Sequence, residues 1–289
     1  MQARQEIRPI EVMVADVVRE THDTATLVFF TGNDTLAYRA GHFLTIDPHQ
    51  FPQLQGLIGY FEQAKGRREP TRAYSMSSAP HERQLAVTVK EEPFQAGHTP
   101  YPPLLSPLLV HGIRPGLRMT VIGFTGPYVL PDDVEQKTDH LVHVCAGSGI
   151  VPNYSILKSA LHQHPKLRHT LLYGNKTHAD IIFRAQLEAL ERAHPEQLRV
   201  VHALSREQEA AKHGPAYRAG RIDRGLLEEL IEDRQGALIY ACGPGVTTFD
   251  RKAARARGEE PRPRFLESVL AALAEMKVEK NRINYESYG

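Results

Sequence analysis

Pro70-Thr71-Arg72-Ala73-Tyr74-Ser75-Met76-Ser77-Ser78-Ala79-Pro80 is the stretch on which the reading of the whole chain turns. Prolines at both ends bracket an alternating run. Arg72 and Tyr74 are therefore expected on one face of a short strand, with Ser75 on the other face or at a kink. A guanidinium fork, a flat ring and a small hydroxyl within four residues match the needs of a flavin nucleotide: a pyrophosphate clamp, an aromatic face and a hydrogen bond at the ring edge. Four residues by themselves also describe an ordinary edge strand with an exposed arginine, so the surrounding sequence must separate the two readings.

Upstream, Glu11 to Val18 and Thr24 to Thr31 are rich in β-branched and aromatic residues, and Gly41 allows a bend before Leu44-Thr45-Ile46. Pro48 to Pro70 reads as a long polar connection around one apolar knot, Leu57 to Phe61, of the kind that is functional or mobile. Downstream, Leu85 to Lys90 alternates as a strand, and Pro93 to Pro103 carries too many breakers for regular structure. Leu104 to His111 predicts one or two helical turns with Ser106 as N-cap and Pro107 in the first position, a helix start suited to a phosphate. Met119 to Phe124 is a further strand.

The period then changes. His140 to Ala146 reads as a buried strand, followed by a glycine turn and a helix with Ile150, Tyr154, Leu157 and Leu161 on one face. Strands at 170–173, 198–204 and 237–241 alternate with helices at 181–192 and 224–232, which predicts a parallel sheet covered by helices on both faces. A last helix carries Leu266, Val269, Leu270, Leu273 and Met276, and 282–285 supplies a closing strand. The basic stretch Arg251 to Arg264 reads as a solvated loop or helix extension, with a docking patch for an acidic partner as the second reading.

Composition narrows the function classes. The 289 residues suffice for two domains, and 41% hydrophobic with 24% charged residues describes a globular chain. A formal charge of +1 offers no overall field for nucleic acid or an anionic membrane. No apolar run reaches membrane-span length and the first residues lack a signal-peptide core, so a cytoplasmic location is expected. With only Cys145 and Cys242, these residues cannot supply a disulfide framework or four thiolates for an iron-sulfur cluster. His140 and His143 are three apart in a strand and face opposite sides, and no metal-ligand spacing appears, so no metal is expected.

Two motifs carry further chemistry. Cys145-Ala146-Gly147-Ser148-Gly149-Ile150-Val151-Pro152 has the form of a dinucleotide pyrophosphate site, with Pro152 where a third glycine would stand. A hydrolase nucleophile elbow is rejected, because Ala146 and Ile150 occupy the positions that it gives to glycine. Ser205-Arg206 follows a strand where an acidic residue would bind a ribose 2'-hydroxyl. A hydroxyl and a guanidinium suit a 2'-phosphate instead, placing NADPH ahead of NADH, with Tyr217 available to stack on adenine.

RAYS at 72–75, AGSGIVP at 146–152, SREQ at 205–208, YACGPG at 240–245 and the ending Tyr285 to Gly289, in this order, resemble the ferredoxin-NADP reductase superfamily. The resemblance implies that Arg72 binds the FAD pyrophosphate, Tyr74 stacks on the isoalloxazine, Ser75 reaches flavin N5, and Ser106 makes a second phosphate contact. It places Val89 and Lys90 beside the bound nucleotides, with Lys90 approaching the nicotinamide nucleotide, and Gly147, Ser148 and Gly149 at its pyrophosphate. Cys242 matches the cysteine beside the nicotinamide, Glu286 a carboxylate near the flavin, and Tyr288 a ring covering the other flavin face. Gly289 departs from the pattern by following that aromatic.

The expected architecture is an antiparallel β-barrel FAD-binding domain over 1–135, the barrel being implied by the resemblance, then a Rossmann-like α/β nicotinamide-binding domain over 136–289. The expected activity takes a hydride from NADPH and passes single electrons from FAD to a ferredoxin or oxygenase partner. A diaphorase or flavin reductase acting on small acceptors is the second reading, and a non-catalytic nucleotide-binding module the third.

Overall fold

The molecule, a computed structural model, is described over residues 7–32, 36–92, 94, 99 and 101–288. The expectations for residues 1–6, Pro93, 95–98, Pro100 and Gly289 lie outside the described residues. The chain divides into two compact units, Met1–Val129 and Leu130–Gly289.

In the first unit β1 (Arg8–Thr21), β2 (Thr24–Phe30), β3 (Phe43–Ile46), β4 (Arg72–Ser75), β5 (Leu85–Lys90) and β6 (Arg118–Thr125) form one antiparallel sheet, ordered β4-β3-β6-β1-β2-β5. An isolated bridge between Met76 and Val87, with the Ser77 amide donating to the Ala86 carbonyl at 2.9 Å, returns the end of β4 to β5. That contact curls the sheet into a barrel, and the inward side chains of alternate positions, among them Val12, Val14, Leu27, Phe29, Leu44, Ile46 and Val121, fill it.

Two expectations are corrected here. The 48–70 connection contains a real helix, α1 (Gln55–Lys65), preceded by two 3₁₀ turns. Gly56 and Gly59 disguised it, since glycine costs a helix roughly 1 kcal/mol against alanine. Both glycines are exposed, while Leu54, Ile58 and Phe61 recur at helical spacing and are buried in the core. Burial of the latter two, worth roughly 1.5–3 kcal/mol each, offsets the glycines. Secondly, Leu108–Gly112 is a π-helical turn, closed by the Ile113 amide on the Leu108 carbonyl at 3.0 Å. Ser106 is not its cap; its hydroxyl accepts the Glu92 amide at a long 3.5 Å.

The second unit contains α2 (Val134–Lys137), β7 (His140–Ala146), α3 (Ile150–Gln163), β8 (Arg168–Asn175), α4 (Arg184–Ala193), β9 (Leu198–Leu204), β10 (Tyr217–Ala219) and α5 (Arg224–Leu230). It continues through β11 (Leu238–Pro244), α6 (Thr248–Ala256), α7 (Phe265–Glu275) and β12 (Ile283–Tyr288). Six strands pair in parallel in the order β10-β9-β8-β7-β11-β12. The pleat sends Val142, Val144, Leu172, Val201, Ile239 and Ala241 to a core shared with α5 and α7. It sends Cys145, Leu171, Tyr173, Val200 and Leu204 to a second core under α3 and α4. Helices thus cover both faces, as the alternating sequence pattern predicts.

The basic stretch is helical to Ala256 and then irregular and mostly exposed, in keeping with its reading as a solvated helix extension and loop. Its first part is α6, started by a reciprocal capping box between Thr247 and Asp250, upstream of the first arginine. The final strand β12 also runs farther than expected, through Tyr288, whose carbonyl accepts the Gly245 amide at 3.2 Å.

At the end of β7 the chain passes β11 so closely that a Cβ on Gly149 would lie 2.1 Å from the Cys242 carbonyl oxygen. Neither backbone segment can yield without breaking sheet or helix. Gly149→Ala is therefore expected to destabilise the second unit by at least about 2 kcal/mol. Urea denaturation followed by far-ultraviolet circular dichroism checks this, and a midpoint equal to wild type would contradict the contact.

Candidate functional site

The chemistry-bearing residues form one group in each unit. In the second, β7 ends in a turn where Gly147 takes φ 54°, a left-handed conformation that favours glycine. The turn is fixed from beneath. The Tyr173 hydroxyl donates to the Gly147 carbonyl at 3.0 Å and accepts the Ile182 amide at 3.3 Å. The Asn153 amide donates to the Gly149 carbonyl at 3.0 Å, and its oxygen lies 3.0 Å from His143 Nδ1. Burial holds His143 down at about 4, so this support is neutral at physiological pH. No side chain caps the Gly147–Gly149 turn or the start of α3. Their leading amides lie at the positive end of a 14-residue helix, where the dipole favours negative charge.

Beside this turn, β11 lies between β7 and β12, with Cys242 in register with Cys145 on one side and Glu286 on the other. Cys242 is fully buried, and burial first, then the Glu286 charge, push its thiol up well beyond the usual range. Tyr288 hydrogen bonds to the thiol and offsets this only in part. The thiol is thus a neutral, polarizable wall. Burial pushes the Glu286 carboxyl up to about 7, and its Oε2 is buried with no hydrogen-bond partner among the described residues. A carboxyl that titrates near neutrality can hold or release a proton under working conditions.

At the end of β9, Ser205 and Arg206 are exposed. The Ser205 hydroxyl donates to the Asn175 carbonyl at 3.2 Å, and the Arg206 amide donates to the Lys176 carbonyl at 2.8 Å. These bonds lock the loops after β8 and β9 together and leave the Arg206 side chain pointing from an anchored backbone. Tyr217 is buried, with His202 stacked on one face at 4.8 Å. Sequence reasoning missed the pair of imidazoles, His178 and His213, that stack at 3.9 Å beside it. Glu207 binds His213 at 2.5 Å and accepts the His178 amide at 2.9 Å; these bonds, His213 first, hold its carboxyl at about 2. No motif joins residues 178, 207 and 213, so only the fold brings them together.

In the first unit, β4 pairs with β3 so that Ser75 lies opposite Phe43 and Tyr74 opposite Leu44. Arg72 and Tyr74 are half-buried and Ser75 is buried, which is the alternation expected of them. The Arg72 guanidinium is aimed by two bonds, to Glu69 Oε2 at 2.6 Å and to the Pro70 carbonyl at 2.5 Å. Val89 is buried in the barrel. Lys90 Nζ is held by Asp23 Oδ1 at 2.6 Å. Burial tends to raise the Asp23 carboxyl, but the bonds from Lys90, Thr21 and Thr24 prevail and hold it at about 2.

Residues 143–251, from β7 into α6, match the model described as the oxidoreductase NAD-binding domain. These residues all lie within the second unit. The chain is also 32% identical over 257 residues to the ferredoxin reductase component of a 3-ketosteroid-9-alpha-monooxygenase from Mycolicibacterium smegmatis, matching 86% of this chain and 62% of that relative. It therefore spans about three fifths of the relative's length. Among solved structures, the FAD/NAD-binding domain of nitric oxide dioxygenase from Vibrio cholerae O1 biovar El Tor superposes with a TM-score of 0.71 at 20% identity, covering 97% of this chain and 98% of that one. The ferredoxin-NADP+ reductase of Plasmodium falciparum superposes with a TM-score of 0.65 at 19% identity, covering 97% of each chain. The chain thus shares the fold of these two structures, with an antiparallel six-stranded sheet followed by a parallel one. Among the described residues no group of three or more histidine, cysteine or acidic side chains is placed to hold a metal, and no helix is long and apolar enough to cross a membrane.

The raised Glu286 carboxyl has a thermodynamic signature. The folded chain keeps this proton to higher pH than the unfolded chain, so stability declines as pH rises from the ordinary carboxylate range through about 7. Between pH 5 and pH 8 the loss is of order 2 kcal/mol. Glu286→Gln is expected to remove most of that slope in paired urea titrations; an unaltered slope would show the carboxyl to be ordinary.

Proposed function

We propose that this protein is a cytoplasmic FAD-dependent reductase that takes a hydride from NADPH and delivers single electrons to a ferredoxin or oxygenase partner. The observation that carries this reading is the packing of Cys242 and Glu286 side by side on β11 and β12, next to the uncapped glycine turn of an NAD-binding domain. A neutral thiol beside a half-buried carboxyl that titrates near pH 7 has a direct use where a hydride donor docks and a proton must be managed. The similarity to an oxygenase's ferredoxin reductase component favours a protein acceptor over a small oxidant.

Bound FAD would supply the two-electron to one-electron conversion that no side chain can perform. The residues of the first unit fit that cofactor. Arg72, already oriented by Glu69 and Pro70, retains guanidinium donors for a pyrophosphate; Tyr74 offers a ring and Ser75 a hydroxyl on the same short strand. In the second unit, the amides of Gly147, Ser148 and Gly149 would bind the NADPH pyrophosphate, and Arg206 would pair with the 2'-phosphate. Cys242 would limit the nicotinamide's position by bulk, Glu286 would hold or release the proton, and Tyr288 would cover the flavin face until displaced.

Addition of NADPH to the flavin-loaded protein without oxygen should bleach the flavin absorption within seconds. Retained colour would reject the proposal. Arg206→Ala should raise the KM for NADPH about tenfold while leaving that for NADH within twofold, because one charge-assisted phosphate contact is worth roughly 1.5–3 kcal/mol. Equal losses with both nucleotides would show that Arg206 does not read the 2'-phosphate.

A further inference from the structure

The helix α1 has no part in the motifs that point to function, yet its last turn forms a wall of the binding strand's neighbourhood. A cleft of about 140 Å³ in the first unit is lined by Phe61 and Lys65 of α1, Arg72 of β4, and Tyr101 and Glu92 from the segment after β5. Lys65 Nζ lies 4.5 Å from the ring centroids of both Phe61 and Tyr101. It also lies 2.5 Å from Glu69 Oε1, while Arg72 takes the other oxygen of the same carboxylate at 2.6 Å.

Glu69 is the hinge of this arrangement. Its side chain is only 1% exposed, yet those of Lys65 and Arg72 remain 19% and 33% exposed. Its own amide donates to Glu62 Oε1 at 2.9 Å, and Glu62 binds His49, which binds Asp47 at the end of β3. The carboxylate is thus braced through α1, and it fixes two cations one carboxyl apart. Two positive charges on one negative leave a surplus of one, and Glu92, exposed at the rim, is screened by water. Lys65 spends one of three ammonium donors on Glu69, and Arg72 spends part of its five on Glu69 and Pro70. Both cations line the cleft, whose walls include the Phe61 and Tyr101 rings.

We propose that α1 is part of the cofactor-binding surface, with Lys65 as a second phosphate contact beside Arg72 and Glu69 as the positioning residue that aims both cations at a nucleoside diphosphate. This rests on the reading of the first unit as the FAD-binding one, and it assigns a role to a segment that the sequence motifs leave unexplained.

The test uses the full chain stripped of flavin and titrated with FAD and with riboflavin, which lacks phosphate, following flavin fluorescence. Lys65→Met is expected to weaken FAD binding ten- to hundredfold and riboflavin binding less than twofold, with Lys65→Arg recovering most of the loss. Glu69→Gln should weaken FAD binding with a shallower dependence on salt, because both cations lose their aim. An independent readout avoids substitutions: acetylation of Lys65 by acetic anhydride, quantified by mass spectrometry, should fall at least fivefold when FAD or ADP is present. Equal FAD affinity in Lys65→Met, or equal acetylation with and without nucleotide, would overturn the role of α1 and leave the proposed function standing. If the wild-type chain bound neither FAD nor riboflavin, the flavin reading itself would fail, and this inference with it.

Discussion

The contact between Gly149 and the Cys242 carbonyl governs the arrangement of the second unit. Two backbones approach until no side chain fits between them, which fastens the start of α3 to the end of β11. The same end of the sheet contains two more tight glycines. A Cβ on Gly243 would meet the Phe265 ring at 2.5 Å and the Ala146 amide at 3.3 Å, and one on Gly245 would meet Ser287 Oγ at 2.2 Å. Gly147 is different: space around it is open and its requirement is the left-handed φ. Gly147 thus shapes the turn after β7, while Gly149 and Gly243 let the ends of β7 and β11 approach each other. Cys242 and Glu286 are neighbours because parallel pairing of β11 with β12 puts them in register.

The second unit was legible in the sequence because its signals are periodic and local. β7 and β9 have the limits that their hydrophobic runs predict, and the stripe on α7 is buried at Leu266, Val269 and Leu273. The first unit was less legible where tertiary contacts overrule local preference. In α1, exposed Gly56 and Gly59 conceal a helix that the barrel core stabilises through Ile58 and Phe61. At Ser106 a hydroxyl before proline imitates a cap, whereas the chain makes a π turn whose bonds come from Leu108 and Ile113.

The candidate site divides along the same line. Residues within one contiguous motif, Arg72 to Ser75 or Gly147 to Gly149, could be found by inspection. Partners that orient them could not. Glu69, which aims Arg72, reads as one more charge in a polar run, and the stacked His178 and His213 are separated by 35 positions of sequence. The supports of the glycine turn, Tyr173 and Asn153, likewise read as core residues of a strand and a helix. Side chains that position others act through polar bonds at long sequence separation, and such pairs leave no periodic trace.

Two carboxyl groups, buried Glu69 and half-buried Glu286, show how environment sets one functional group to opposite behaviour. Burial tends to raise Glu69, but bonds from Lys65 and Arg72 outweigh it and depress the carboxyl, so Glu69 is a fixed negative charge. Glu286 experiences burial with no cation among the described residues to oppose it, and its carboxyl rises to about 7. A permanently charged group is suited to holding cations in place, since its strength does not vary over the working pH range. A group poised near neutrality is suited to exchanging a proton and would be a poor anchor for the same reason. Had the lysine and arginine been placed beside Glu286, the proton would be lost at physiological pH. Had Glu69 lacked them, a buried charge would have become a neutral acid with nothing to aim. The distribution of cations thus separates a carboxylate fixed in charge from a carboxyl poised to titrate.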